Sequence, residues 1–508
     1  MGSAGDNLMN RRQFLAATSA GALAGRNLRP PNIVLIMADD LGYGDLGCYG
    51  QRYIRTPNID RLAQEGARFT DCYSGCTVCA PSRSVLMTGL HMGHTSVRSN
   101  APGVPLLASD VTVPEVLKKA GYATGGFGKW ALGDVGTTGT PTEHGFDEFF
   151  GYYNQVHAHY YYPRYLIDSG KRYPLAGNEG GQRTTYSHDL IADRALDFIH
   201  RNRAKPFFCY VPFTIPHMEL LVPEDSLAEY RGKLPEGKPF IDPTKHYANQ
   251  PEPRTAYAGM VSRMDRDVGR IMALLKELNL DNETIVFFTS DNGAAEPLWD
   301  EGGFFRGAGP FRGHKENFYE GGIRVPMIAR WPKRIRAGAV SDFPWMFCDF
   351  LPTAAELAGI SVPAGLDGFS VLPTLLGRNQ KPHEFLYWEL PAYEVATGGF
   401  RREVPLQAVR MGEWKAVRSR PGGPLELYNL KKDISETDDV AARNPQVIAR
   451  IEAYLKTARI EPRVQKEPKS EWNLPGPRGW LSGLLEMFND LEWNSGVKTP
   501  FLTSWFGQ

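Results

Sequence analysis

The sequence predicts an α/β protein: a large, mostly parallel sheet sandwiched by helices, followed by a smaller C-terminal antiparallel sheet plus helix. Three observations carry that expectation. Continuous apolar runs stop abruptly at polar clusters, amphipathic helical stripes lie between them, and the texture changes near residue 385. The 508 residues are 42% hydrophobic, 11% aromatic and 22% charged, which supplies a sizeable core and excludes a disordered or fibrous chain. Lys plus Arg and Asp plus Glu both number 57, so no broad basic face for nucleic acid is expected. Beyond a short stretch near the start, no apolar run approaches the roughly 18 residues of a spanning helix, so an integral membrane protein is excluded.

Taken in order, the first element is an address. Asn10 to Leu15 (Asn-Arg-Arg-Gln-Phe-Leu) precede an Ala/Gly-rich stretch containing Ala22-Leu23-Ala24. Paired arginines, a weakly hydrophobic segment and a small-x-small site resemble a twin-arginine export signal, residues 1–24, and imply a periplasmic or secreted protein. Asn32 to Met37 then reads as a strand buried on both faces and stops at Asp39-Asp40-Leu41-Gly42. Phe207 to Val211 is a second such run, followed by Pro216-His217. Thr284 to Thr289 is a third, stopping at Asp291-Asn292-Gly293, and Pro326 to Ala329 a fourth. Between them Val261, Met264, Val268, Ile271, Leu275 and Leu278 fall at helical spacing. In parallel sheets ligands sit beyond the carboxyl ends of the strands, so these polar clusters are where a site is expected.

The expected catalytic domain spans 30–380. From about 385, short strand candidates (385–389, 407–411, 414–418, 425–430) and a helix through Val447, Ile451 and Leu455 make a second α+β unit, 381–462. The tail, 463–508, carries Trp472, Trp480, Trp493 and Trp505 and is read as packing on the body. Six cysteines are too few for a disulfide scaffold. Cys209 and Cys348 read as small buried hydrophobes, and the sequence leaves any pairing of Cys48, Cys72 and Cys76 open.

The most informative stretch is Cys79-Ala80-Pro81-Ser82-Arg83. Pro81 fits the first turn of a helix, which places Cys79 at an N-terminus where free N–H groups favour an anion. Arg83 returns to the same face one turn later. On the residues alone this is a nucleophile over an anion site.

This segment resembles the Cys-x-Pro-Ser-Arg signature of the type I, formylglycine-dependent sulfatases of the alkaline phosphatase superfamily. Further motifs follow the family order: Asp39-Asp40-Leu41-Gly42, Gly121 to Trp130, Pro216-His217, Asp291-Asn292-Gly293, and Arg312 to Pro326 with Lys315. The resemblance, from about Pro31 to Arg459, implies hydrolysis of a sulfate ester to alcohol and sulfate, with formylglycine made from Cys79 and one Ca²⁺ held by Asp39, Asp40, Asp291 and Asn292. These are hard oxygen donors of the kind Ca²⁺ takes. It also implies Arg83, Lys129 and Lys315 on the sulfate oxygens, His217 or Lys315 as proton donor, and a formylglycine-generating enzyme as maturation partner. A sulfated glycan or small molecule is the expected substrate.

One position departs from the pattern. Ala131 in Gly128-Lys129-Trp130-Ala131-Leu132-Gly133 stands where the family carries a histidine. His157 or His159, in the tyrosine-rich segment 152–163, is the expected replacement, with His157 named as a catalytic candidate. Two rival readings follow: a catalytically impaired, carbohydrate-binding protein on the same fold, and a phosphate or phosphonate monoester hydrolase. A redox or zinc centre on Cys76-Thr77-Val78-Cys79 fails for want of a second cysteine pair.

Overall fold

The structure, a computed structural model, describes residues 29–101, 104–243, 246–394 and 399–463. Residues 1–24, read above as an export signal, and the Trp-rich tail beyond 463 lie outside the described residues.

A ten-stranded mixed sheet forms the body. At its centre five strands run parallel in the spatial order Thr284–Ser290, Asn32–Ala38, Phe207–Pro212, Ala123–Lys129, Glu148–Tyr152. Antiparallel strands flank them: Met327–Arg330 on one side and the hairpin of Tyr165–Asp168 and Lys171–Pro174 on the other. The apolar runs are central because both faces of those strands are covered. Ile33, Leu35, Met37, Phe208, Tyr210, Ile285 and Phe287 pack with the helices Cys79–Thr88 and Phe350–Leu357. Their alternates Val34, Ile36, Cys209, Val211, Val286 and Phe288 pack against the helices Ser187–Arg201 and Pro253–Glu277. Burying each such side chain contributes about 1.5–3 kcal/mol. Five of the six stripe residues, Val261 to Leu275, lie on the buried face of the 25-residue helix Pro253–Glu277, and Leu278 is its half-buried C-cap.

One central strand has no apolar run to announce it. Ala123–Lys129 (Ala-Thr-Gly-Gly-Phe-Gly-Lys) holds three glycines, which disfavour a strand on propensity. Packing accounts for them, most tightly at Gly128, which has φ +137° and where a Cβ would lie 1.9 Å from the Pro212 carbonyl oxygen. The strands therefore approach closely just before Lys129.

The C-terminal sheet has the order Leu386–Leu390, Leu406–Met411, Trp414–Arg418, Glu426–Asn429, all antiparallel, and the helix Pro445–Leu455 packs on it. Its other face, with Trp388, Ala408, Val417 and Tyr428, belongs to the same apolar cluster as Ile33 and Phe287. The Trp388 indole N–H donates to the Ser74 carbonyl (2.9 Å), five residues before Cys79. All six cysteines are unpaired thiols. Among the described residues no helix is long and apolar enough to cross a membrane.

Candidate active site

The polar clusters after the strands converge at one end of the sheet. Ala38 pairs with Ser290, and the Asp291 amide donates to the Ala38 carbonyl (3.1 Å), so Asp39-Asp40 and Asp291-Asn292 leave adjacent strands side by side. Successive residues of a strand point to opposite faces. Asp40 escapes this through a left-handed backbone, φ +65°, which aspartate tolerates better than most residues. Its amide donates to Asp291 Oδ1 (3.1 Å) and its Oδ1 accepts from Asn292 Nδ2 (2.7 Å).

Cys79 opens the helix Cys79–Thr88, with Val78 as a cap that offers no side-chain acceptor. The first-turn amide of Ala80 donates instead to Asn100 Oδ1 (2.9 Å). Cys79 Sγ lies 3.2 Å from Asp39 Oδ1 and 3.9 Å from Asp40 Oδ1. One turn on, Arg83 grips Asp291 Oδ2 through Nε (3.0 Å) and Nη2 (2.7 Å), and donates from Nη1 to the Lys129 carbonyl (2.5 Å). Ser82 donates to the Asp291 carbonyl and accepts from the Gly75 amide (3.0 Å), fixing the turn that carries Cys79. The sequence reading assigned Ser82 and Asn100 no role, although Ser82 lies inside the key motif.

Three cations meet three carboxylates here, all buried. Besides the Arg83 pair, Lys129 Nζ is 2.7 Å from Asp39 Oδ2 and Lys315 Nζ 2.7 Å from Asp40 Oδ2. Lys315 also donates to His217 Nε2 (3.2 Å), whose Nδ1 is held by the Met218 carbonyl. Burial alone would raise the carboxyls of Asp39 and Asp40. Lys129, His217 and Arg83 outweigh it at Asp39, and Lys315 and His217 at Asp40, so both lie below the usual range. Burial, with Asp291 and Asp39 adding to it, pushes the Cys79 thiol well up, so an unmodified thiol stays protonated. Burial lowers His217 to about 4 against the pull of Asp40, leaving a neutral imidazole.

The two candidate histidines separate. The structure does not bring His157 to the site: its ring packs against Tyr152 and Tyr165 (centroids 5.0 and 4.6 Å). The 3-10 turn His157–His159 points the two rings apart, and His159 lies flat on His217, centroids 4.5 Å apart at 21°. His246 and Tyr247 complete that wall. Nothing in the local sequence around 246 marked them, because only tertiary contact gives them a role. Ala131 has φ +62° and lines a small cavity with Ala80, Asn100, Tyr153 and Asn154.

Comparison with known proteins identifies the family. The sequence model of the sulfatase family matches residues 31–360, which contain every candidate above. This chain belongs to the sulfatase family. A second model, the C-terminal region of N-sulphoglucosamine sulphohydrolase, matches residues 312–463 and thus the antiparallel sheet. Human arylsulfatase A is 36% identical over 86% of this chain and 89% of its own length. The N-acetylgalactosamine-6-sulfatase of Canis lupus familiaris is 34% identical over 80% and 75% respectively. Among solved structures, Ps i-CgsB in complex with k-i-k-neocarrahexaose superposes with a TM-score of 0.72 at 28% identity, covering 91% of this chain and 99% of that one. The protein is accordingly a sulfuric ester hydrolase, a sulfatase of the arylsulfatase type.

Proposed function

We propose that this sulfatase is exported, carries formylglycine at position 79 and one Ca²⁺, and hydrolyses the sulfate ester of a carbohydrate. One observation carries the catalytic part. Three carboxylates, an amide and three cations surround the residue-79 side chain at the strand ends, within hydrogen-bond reach of one another. The donor set fits Ca²⁺: four oxygen-bearing side chains on two adjacent strand ends, with Asn292 Oδ1 buried and without a hydrogen-bond partner among the described residues. Gly293 packs against the loop behind, where a Cβ would lie 1.9 Å from the Gly321 oxygen, so Asn292 is held in place. When bound, the ion polarises sulfate oxygens and favours the deprotonated form of the nucleophile. Formylglycine, as its hydrate, supplies that nucleophilic oxygen.

The chain's own groups do the rest. Arg83 and Lys129 stand on the nucleophile's side of the sulfate and hold its oxygens as charge accumulates. Lys315, bridging Asp40 and His217, delivers a proton to the leaving oxygen, and His217, with Nδ1 tied to the Met218 carbonyl, keeps Nε2 turned toward it. Two relatives support a sugar substrate: one named for N-acetylgalactosamine-6-sulfate chemistry, the other crystallised with a neocarrahexaose. The Arg11-Arg12 segment supports export. Cys79 is fully buried, so the enzyme that oxidises it acts before the chain folds.

Mass spectrometry of the peptide containing residue 79, from protein that releases sulfate, is expected to show formylglycine. Cys79→Ala is expected to lower sulfate release from 4-nitrophenyl sulfate at least about 10⁴-fold while the protein stays folded. Active protein with an intact thiol, or an active alanine variant, would refute the reading and favour a fold kept for binding.

A further inference from the structure

Each cation at the site is already committed: Lys129 to Asp39, Arg83 to Asp291, Lys315 to Asp40. His159 is placed differently. It is 8% exposed, stacks on His217, and its Nε2 is buried with no hydrogen-bond partner among the described residues. Its other nitrogen is well held. His159 Nδ1 lies 2.9 Å from His246 Nε2 and 3.4 Å from the Tyr247 hydroxyl. The Tyr160 hydroxyl lies 3.2 Å from His246 Nδ1. With Tyr160 donating to His246 Nδ1, His246 carries its proton on Nε2 and donates it to His159. An Nδ1 that accepts from His246 leaves the His159 proton on the uncommitted Nε2.

His157 supplies the contrast. Its Nε2 is also buried without a hydrogen-bond partner among the described residues, yet its ring sits among tyrosines, and the charges nearest it are Arg172 and Arg164. His159 lies beside the anion site: it stacks on His217, whose Nε2 is 3.2 Å from Lys315 Nζ and 3.3 Å from Asp40 Oδ2. Burial keeps it neutral, with His217, His246, Lys129 and Lys315 reinforcing the effect. A neutral imidazole N–H beside an anion site donates a hydrogen bond without adding charge.

We propose that His159 is a catalytic residue whose Nε2–H donates to the alcohol oxygen of the sulfate ester, stabilising the negative charge that builds there as the S–O bond lengthens. This rests on the sulfatase reading above, and the proton itself still comes from Lys315. A donor aimed at developing charge contributes about 10²–10³ in rate. Its contribution grows with the charge on the leaving oxygen, so poor leaving groups depend on it most.

The test compares phenyl sulfate with 4-nitrophenyl sulfate for matured wild type, His159→Ala, His159→Phe and His157→Ala. The phenylalanine variant keeps a flat ring against His217 but lacks the N–H. The expected result is a roughly 100-fold loss of kcat/KM on phenyl sulfate in both His159 variants. The loss on 4-nitrophenyl sulfate is expected to stay below about 10-fold, and His157→Ala to lie within about threefold of wild type on both. Equal losses on the two esters, or a His159→Phe enzyme at wild-type rates, would overturn the assignment and make His159 a packing residue. A matured wild type that releases sulfate from neither ester would instead overturn the sulfatase reading, and this assignment with it.

Discussion

Two of the buried ionic clusters are arranged on opposite plans. At the strand ends Asp39, Asp40 and Asp291 crowd into one small volume with Arg83, Lys129 and Lys315. Asp39 and Asp40 repel, as do Asp40 and Asp291, and the cations only offset this. At the seam between the two sheets the charges form a ladder. Lys415 lies between Glu320 (2.8 Å) and Glu436 (3.0 Å), Arg324 pairs with Glu320 (2.5 Å), and Arg410 reaches Asp71 (2.8 Å). The Tyr73 hydroxyl donates to Glu320 (2.8 Å), so the ladder joins the segment that leads to Cys79 to the C-terminal sheet. Opposite charges alternate along the seam, whereas like charges gather at the strand ends, around Asn292 Oδ1 and His159 Nε2. Alternation serves attachment. Crowding with uncommitted atoms serves binding, and the surrounding fold must over-determine it.

The contrast predicts which cluster governs stability and which governs turnover. Lys415→Met leaves buried Glu436 without its cation and Glu320 with Arg324 alone, and is expected to cost about 3–5 kcal/mol in denaturant unfolding. Its folded fraction is expected to stay within about threefold of wild-type kcat. If instead activity vanished and stability held, the division of labour would be wrong. Next, Asn292→Ala removes a neutral donor and breaks no ion pair, so unfolding should change little while kcat falls at least about 100-fold. Added Ca²⁺ is expected to stabilise wild type and Lys415→Met alike, by about 2.7 kcal/mol at a hundred times Kd, and Asn292→Ala much less. A full Ca²⁺ shift in Asn292→Ala would place the ion elsewhere.

The smallest effect is a pH dependence at the seam. Burial raises the Glu436 carboxyl to about 7, with Lys415 opposing and Glu320 assisting. The folded state then holds a proton that the unfolded chain has released, so Glu436 makes stability fall as pH rises from about 4.5 to 7. Glu436→Gln removes that slope. Relative to wild type, its melting temperature should rise between pH 5 and pH 7, and a constant difference would show that Glu436 is ionised throughout.

Much of this was legible before any fold was known, for physical reasons that can be named. Strands buried on both faces must be apolar throughout, so Asn32–Ala38 and Thr284–Ser290 stood out, and the aspartates that ended them marked the site. The strand Ala123–Lys129 was legible only as a motif, because its glycines answer to neighbours distant in sequence. Gly125 makes room for Phe198 and Gly126 for Phe149. His157 and His159 were indistinguishable for a related reason. Two residues apart on a segment without periodicity, only the 3-10 turn decides which ring faces His217. His246 reaches the site across 87 residues of intervening chain, which no local pattern encodes.

The Trp388–Ser74 hydrogen bond sets a clock on biosynthesis. The turn before position 79 is tied down by a residue some three hundred codons downstream. At about 5–20 residues per second, roughly 15–60 s pass between the two leaving the ribosome. For that interval the signature pentapeptide stays open, and once the last sheet closes over it Cys79 is buried.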